Sequence, residues 1–366
     1  MGFTLGFASW ALLSIAYAAI EIVWHPITSG AVPAAAAIAI CCAGGALMGW
    51  WNHRFNSAPE PFAQVVKSAL ANGSYEVRRP FASFVSFLLP LACGGPVGPE
   101  AGLSGFIAAG CTKIGVAIRR ACGTGACLTS SRVQKTVIYG IGVAGGVAAF
   151  GYFTSTVGGA GIPRFGVPEL SAISVAWVIP LTLAGMALSW VFRRCTDLSE
   201  RISKQFGSND PLRGAACGLA LALASIALPY VLFPGTEQAM ELLNSWGNMG
   251  GAVLMATAIV KLALLALCLA MGWHGGPFFP LIFSAMCCGL AFSAAFGVDA
   301  ALAVTVVSAA LLGRYTRKAG LALAILLLCV PLRGVLWALL PLLAGAMLPT
   351  IEDLAERRAS RAKAHV

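Results

Sequence analysis

The sequence predicts an all-α protein that crosses the membrane many times, built as two inverted repeats with discontinuous helices. Three observations predict this class. Of 366 residues, 58% are hydrophobic and only 10% charged, against roughly 25% charged in a soluble domain. Apolar stretches recur along the whole chain. Two of them break at Gly and Pro in corresponding places of two halves, the mark of interrupted helices that line a binding site.

The elements follow in order. The first stretch, 3–23, has no basic leader and no small-residue cleavage site, so it reads as a retained helix and not a signal peptide. Trp24 to Gly30 carries no Lys or Arg and belongs outside, because basic residues stay with the cytoplasmic loops. The stretch 31–51 comes next. The segment 52–80, with Arg54, Lys67, Arg78 and Arg79, is placed inside. Stretches 81–95 and 97–118 flank the first break, and 135–157 and 173–193 follow. The polar run Arg193–Arg213 separates a first membrane half, 1–205, from a second, 206–350. That second half holds 212–233, 249–273, 277–297, 299–313 and one or two more helices within 319–349. Several stretches are shorter than the roughly 20 residues of a full span, so complete and partial crossings are expected together. Gly45 to Gly49 and Gly142 to Gly146 are Gly-x-x-x-Gly pairs that let helices approach closely. The tail 351–366, with Arg357, Arg358, Arg361 and Lys363, reads as a basic cytoplasmic tail touching anionic membrane lipid.

The net charge of +10 is scattered over these short loops, which argues against a nucleic-acid partner. Most of the 12 cysteines lie in or against apolar helices without metal-site spacing. Cys122 and Cys127 are the one loop pair and read as thiols. No metal or cofactor is expected, and no phosphate-cradling loop points to ATP.

The chemistry concentrates at the breaks. Phe87–Cys93 is interrupted by Gly94-Gly95-Pro96-Val97-Gly98-Pro99, and the chain restarts at Glu100. Leu262–Met271 is interrupted by Gly275-Gly276-Pro277, followed by Phe278-Phe279-Pro280. In hydrocarbon such backbone survives only where it is buried in protein or lines a cavity. A carboxylate at that depth is functional by default. If the halves are inverted, both restarted helices aim their N-termini at one point near the midplane, where free N–H groups and dipole ends bind an anion.

These residues resemble the CLC family of chloride channels and chloride/proton exchangers over about residues 40–345, as a short, divergent bacterial-type member without cytosolic regulatory domains. Gly98-Pro99-Glu100-Ala101-Gly102 stands where the family has Gly-x-Glu-Gly-Pro, and Gly276-Pro277-Phe278-Phe279-Pro280 fits its Gly-x-Phe-x-Pro in full. Lys261, in the helix ahead of the second motif, is also similar. The resemblance implies a homodimer with one pathway per chain, carrying chloride or a similar monovalent anion, with nitrate and fluoride left open. It implies that Glu100 is the gate and that Gly98, Ala101, Gly102, Gly276, Phe278 and Phe279 surround the anion. Asn56 or Ser57 is the donor at the cytoplasmic mouth. The location implied is the plasma membrane, multi-pass, with both termini cytoplasmic.

The departures carry as much. Ala101 and Gly102 replace Gly-Pro, and Phe55-Asn56-Ser57-Ala58-Pro59 keeps only the proline of the family's Gly-Ser-Gly-Ile-Pro. The helix that brings the pore tyrosine is not found, since the chain turns polar at Glu352. The internal glutamate of exchangers falls at Ile162-Pro163, where no carboxylate stands. These absences favour a passive channel; a proton-coupled chloride or fluoride antiporter, with protons as second substrate, is the alternative. A remote alternative is an intramembrane serine protease. Gly102-Leu103-Ser104-Gly105 matches Gly-x-Ser-Gly, with His274 on another apolar segment, but the paired breaks have no role in it.

Overall fold

A computed structural model describes residues 2–30, 32–33, 35–122, 132–158, 161–169 and 171–349. The tail beyond 350 and Cys127 lie outside the described residues. The helices are α1 (Gly2–Thr28), α2 (Ala36–Phe55), α3 (Phe62–Asn72), α4 (Pro80–Ala92), α5 (Glu100–Cys122), α6 (Arg132–Thr156) and α7 (Ala172–Lys204). They continue with α8 (Asp210–Ala227), α9 (Thr236–Ser245), α10 (Gly251–Ala270), α11 (Phe278–Phe296), α12 (Ala300–Thr316), α13 (Ala319–Leu326) and α14 (Val335–Met347). Among the described residues the sole β-type pairing is an isolated bridge between Gly98 and Gly276.

Among the described residues five helices (α1, α7, α8, α10 and α11) are long and apolar enough to span a membrane. The surface agrees: Ile22, Ile141, Ile179 and Leu183 are exposed, whereas Lys261, Thr257 and Ser308 are fully buried. A chain that turns apolar side chains outward and polar ones inward is built for lipid.

Several boundaries differ from the sequence expectation. The helix predicted over 97–118 begins at Glu100, because Val97 and Gly98 belong to the turn and Pro99 flanks the helix, its carbonyl accepting the Leu103 N–H. The stretch 212–233 ends as helix at Ala227, with Leu228 extended ahead of Pro229, as the residue before a proline prefers. Helix α7 runs on through polar residues to Lys204. The region 319–349 resolves into two helices, α13 and α14. Helices α3 and α9 were not expected; both are short and half polar, and neither gives an apolar stretch to detect.

The chain packs as two compact units, each drawing on both halves of the sequence. In the first (1–163, 193–243, 260–283), glycine sets how close the helices come. A Cβ on Gly45 would lie 2.1 Å from the Gly214 carbonyl oxygen, and one on Gly218 2.1 Å from that of Cys41. Gly45 of α2 therefore faces Gly214 of α8, with Gly49 against the Asp210 carbonyl and Gly218 against that of Cys41. Gly2 and Gly6 of α1 meet Gly142 and Gly146 of α6 in the same way. In the second unit (164–192, 244–259, 284–366), α12 is buried at every residue from Leu302 to Gly313. Its N-cap Asp299 accepts from the Leu302 N–H at 2.7 Å, and Gly313 and Gly345 bring α12 against α14.

Candidate functional site

Both breaks are built by the same sequence of backbone events. At the end of α4, the Cys93 N–H donates to Leu89 O at 3.0 Å and the Gly95 N–H to Pro90 O at 2.8 Å. At the end of α10, the Met271 N–H donates to Leu267 O and the Trp273 N–H to Cys268 O, both at 2.8 Å. The residue in the bend is glycine each time, Gly94 at φ 89° and Gly272 at φ 87°, a conformation that penalises any Cβ. Four residues on stand Gly98 and Gly276, then Pro99 and Pro277, then the restarted helices α5 and α11. The breaks are zipped together: the Gly98 N–H donates to Gly276 O and the Gly276 N–H to Gly98 O, both at 2.6 Å.

Glu100, the first residue of α5, reaches across to the start of α11. Its Oε1 accepts the Phe279 N–H at 2.8 Å, and the N–H groups of Phe278 and of Glu100 itself also bear on the carboxylate. Its Oε2 is buried with no partner. The carboxylate occupies the volume that two side chains would need. A Cβ on Gly98 would lie 1.8 Å from Oε2 and one on Gly276 2.1 Å from it. Two glycines and the positive ends of two helices thus make a seat for one negative group.

The remaining predicted residues fall around this seat or away from it. Ala101 is buried in the first turn of α5. Gly102 lies against the Phe87 ring, 2.3 Å from where its Cβ would stand. Phe278 is buried and meets the Phe62 ring edge-to-face at 6.0 Å between centroids, which brings the start of α3 to the start of α11. Asn56 caps α2 in the left-handed conformation, φ 44°, with its side chain exposed. Ser57 is buried and shares a 2.8 Å hydrogen bond with Ser86. Of the two donors left open by the sequence, Ser57 faces the interior. Ile162 and Pro163 stand without a neighbouring carboxylate in the sequence. Ser104 donates to its own helix at Ala101 O, and among the described residues no hydrogen bond joins it to His274.

Three features have partners that the sequence alone does not name, although Lys261 itself stood out there. Lys261 is fully buried and donates to Tyr230 O at 2.7 Å, Leu232 O at 2.9 Å and Gln238 Oε1 at 3.3 Å, 4.3 Å from the centre of the Phe283 ring. It braces the segment whose Phe233 N–H donates to Gly94 O, so a second-half cation supports the first break. Tyr17 of α1 is hydrogen-bonded to Thr236 of α9. In the loop after α3, burial and the nearby Glu60 carboxylate push the Tyr75 phenol above its usual range. Its hydroxyl would lie 3.7 Å from a Cβ on Gly105 of α5. Each depends on contacts between distant residues, which no local motif announces.

A membrane-embedded helical protein with two restarted helices pinned together around one buried carboxylate belongs to the class of discontinuous-helix transport proteins. Residues 150–351 match the voltage gated chloride channel family, and the chain belongs to that family. The matched stretch includes the second break and not Glu100. Curated relatives named "Putative ion-transport protein YfeO", from Salmonella newport and Salmonella typhimurium among others, are 34% identical over 170 residues. That alignment covers 45% of this chain and 38% of theirs, so the match spans well under half the relatives' length. Two solved structures share the fold at 15% identity. A slow cyanobacterial Cl−/H+ antiporter superposes with TM-score 0.69 over 94% of this chain and 92% of its own. A CLC-type fluoride/proton antiporter does so with TM-score 0.67 over 95% and 93%.

Proposed function

We propose that the protein conducts a small monovalent anion, chloride in the first instance, passively across the membrane, with Glu100 as the gate. The observation that carries this reading is the seat itself. A group held by helix N-termini between two glycines can be exchanged for a free anion of the same sign. With the carboxylate seated, an arriving anion meets a like charge in a poorly screened site; when it is protonated or swings away, the seat opens. Ser57 is the inner donor, and Gly98, Ala101, Gly102, Gly276, Phe278 and Phe279 supply the backbone wall. Family membership supports a homodimer with a pathway in each chain. The basic loops support a plasma-membrane protein with both termini cytoplasmic.

Proton-coupled exchange is the second reading, and one observation favours it. Glu60 has a buried carboxylate oxygen without a partner and lies beside Tyr75. That places two titratable groups near α5 although none stands at Ile162 and Pro163. The test is purified protein in vesicles under separate chloride and proton gradients. Conduction predicts a reversal potential that follows chloride alone, and Glu100→Gln flux that rises and loses its pH dependence. Uphill proton movement at a fixed ratio to chloride, abolished by Glu100→Ala, would overturn conduction in favour of exchange.

A further inference from the structure

Ser57 does not act alone. A serine hydroxyl carries one hydrogen to donate. Ser86, fully buried on α4, donates its hydrogen to Asn52 Oδ1 at 2.8 Å. The 2.8 Å contact between Ser57 Oγ and Ser86 Oγ must then be donated by Ser57. Run in this direction, the relay commits the Ser57 hydrogen inward and leaves nothing to offer an anion. The same direction leaves Asn52 Nδ2, with two N–H donors, buried and without a partner.

A half-turn of the Asn52 amide exchanges its oxygen and nitrogen with almost no change of shape. Nδ2 then donates to Ser86 Oγ, Ser86 donates to Ser57 Oγ, and the hydrogen of Ser57 is released at the far end. One Nδ2 hydrogen thereby gains an acceptor, and Oδ1 takes the buried position where Nδ2 had no partner. Ser57 directly follows the Asn56 cap of α2, shortly before Phe62, whose ring meets Phe278 at the start of α11. The freed hydroxyl therefore belongs to the segment that adjoins the restarted helix.

We infer that Asn52 is a positioning residue whose amide sets the direction of the Asn52–Ser86–Ser57 relay, and with it whether Ser57 presents a hydrogen to the anion. This rests on the reading of Ser57 as an anion ligand, and the experiment separates the two. Chloride, nitrate and fluoride are titrated calorimetrically into the purified full-length protein, and the anion bound most tightly serves as probe. Ser57→Ala weakens its binding about ten-fold or more, the loss of one hydrogen bond to a charged group. Asn52→Asp, nearly identical in shape, accepts from Ser86 but offers no N–H, so it locks the relay inward and weakens binding by a similar factor. In the Ser57→Ala background Asn52→Asp adds nothing further.

An unchanged affinity in Ser57→Ala overturns the ligand role of Ser57 and the relay with it. A weakened Ser57→Ala with an unchanged Asn52→Asp overturns the relay alone. An equal loss from Asn52→Asp in both backgrounds shows plain repulsion by the new charge and also overturns it. Asn52→Ser, which keeps a donor without adding charge, guards against a folding defect: it retains binding closer to the native value than Asn52→Asp if the relay operates, and matches Asn52→Asp if it does not.

Discussion

At the first break the chain leaves α4 through Gly94 and restarts at Glu100; at the second it leaves α10 through Gly272 and restarts at Phe278. The bends, two backbone bonds at each helix end and the Gly-Pro before each restart correspond, with one further bond, Gly94 N–H to Leu91 O, at the first break. The difference is the side chain at the first helical position. One break contributes a carboxylate; the other contributes an apolar ring and the N–H of Phe279 that holds the carboxylate. Two equivalent backbones have thus been divided into one that carries the carboxylate and one that holds it; in the proposed function these are a gate and its latch. A repeated backbone fixes where charge can sit, and a single residue decides which copy carries it.

The sharpest way to break the comparison is at the latch. Gly276→Leu places a bulky side chain where the Glu100 carboxylate and the bridging backbone already stand, and flux should fall to background in protein that still elutes as native. Normal flux would remove the second break from the path. The gate side should answer in the opposite direction. Gly98→Ala adds one methyl in the volume of Oε2 and should push the carboxylate off its seat, raising flux several-fold and flattening its pH dependence. Combined with Glu100→Ala it should do nothing more, since neighbours acting through one group are not additive. An additive effect would mean that Gly98 matters for reasons other than Glu100.

Smaller effects test what stands behind each break. Lys261→Met strips three acceptors of their buried donor and should destabilise the protein by about 2–4 kcal/mol, seen as a lower midpoint in thermal unfolding. Because Lys261 braces the segment bonded to Gly94, its loss should also loosen the first break; an unchanged midpoint would deny the brace. Tyr17→Phe removes one hydrogen bond to Thr236 and should cost about 1 kcal/mol without altering selectivity among anions.

How much was legible in the sequence follows from the reach of each interaction. Glycine and proline are local signals, so both breaks, the position of Glu100 and the two Gly-x-x-x-Gly contacts could be located from residues alone. The bridge that joins the breaks, the span of Glu100 to Phe279 and the bond from Phe233 to Gly94 are meetings of residues from opposite halves. Periodicity says nothing about these. The Ser57–Ser86–Asn52 relay was hidden differently: three ordinary polar residues on separate elements, one of them inside an apolar helix, become one unit only when folded. Helices α3 and α9 escaped because short, half-polar helices do not stand out against the loops around them.

The bridge between Gly98 and Gly276 also has a consequence for how the protein is made. Its two partners are far apart in the chain, so a ribosome adding roughly 5–20 residues per second needs on the order of ten seconds or more between them. Throughout that interval Gly98 has no bridge partner and Glu100 has no Phe279 N–H to hold it, while α5 to α10 are made one after another. A chain truncated ahead of Gly276 would leave Gly98 without its bridge and Glu100 without the Phe279 N–H, however well its earlier helices had formed.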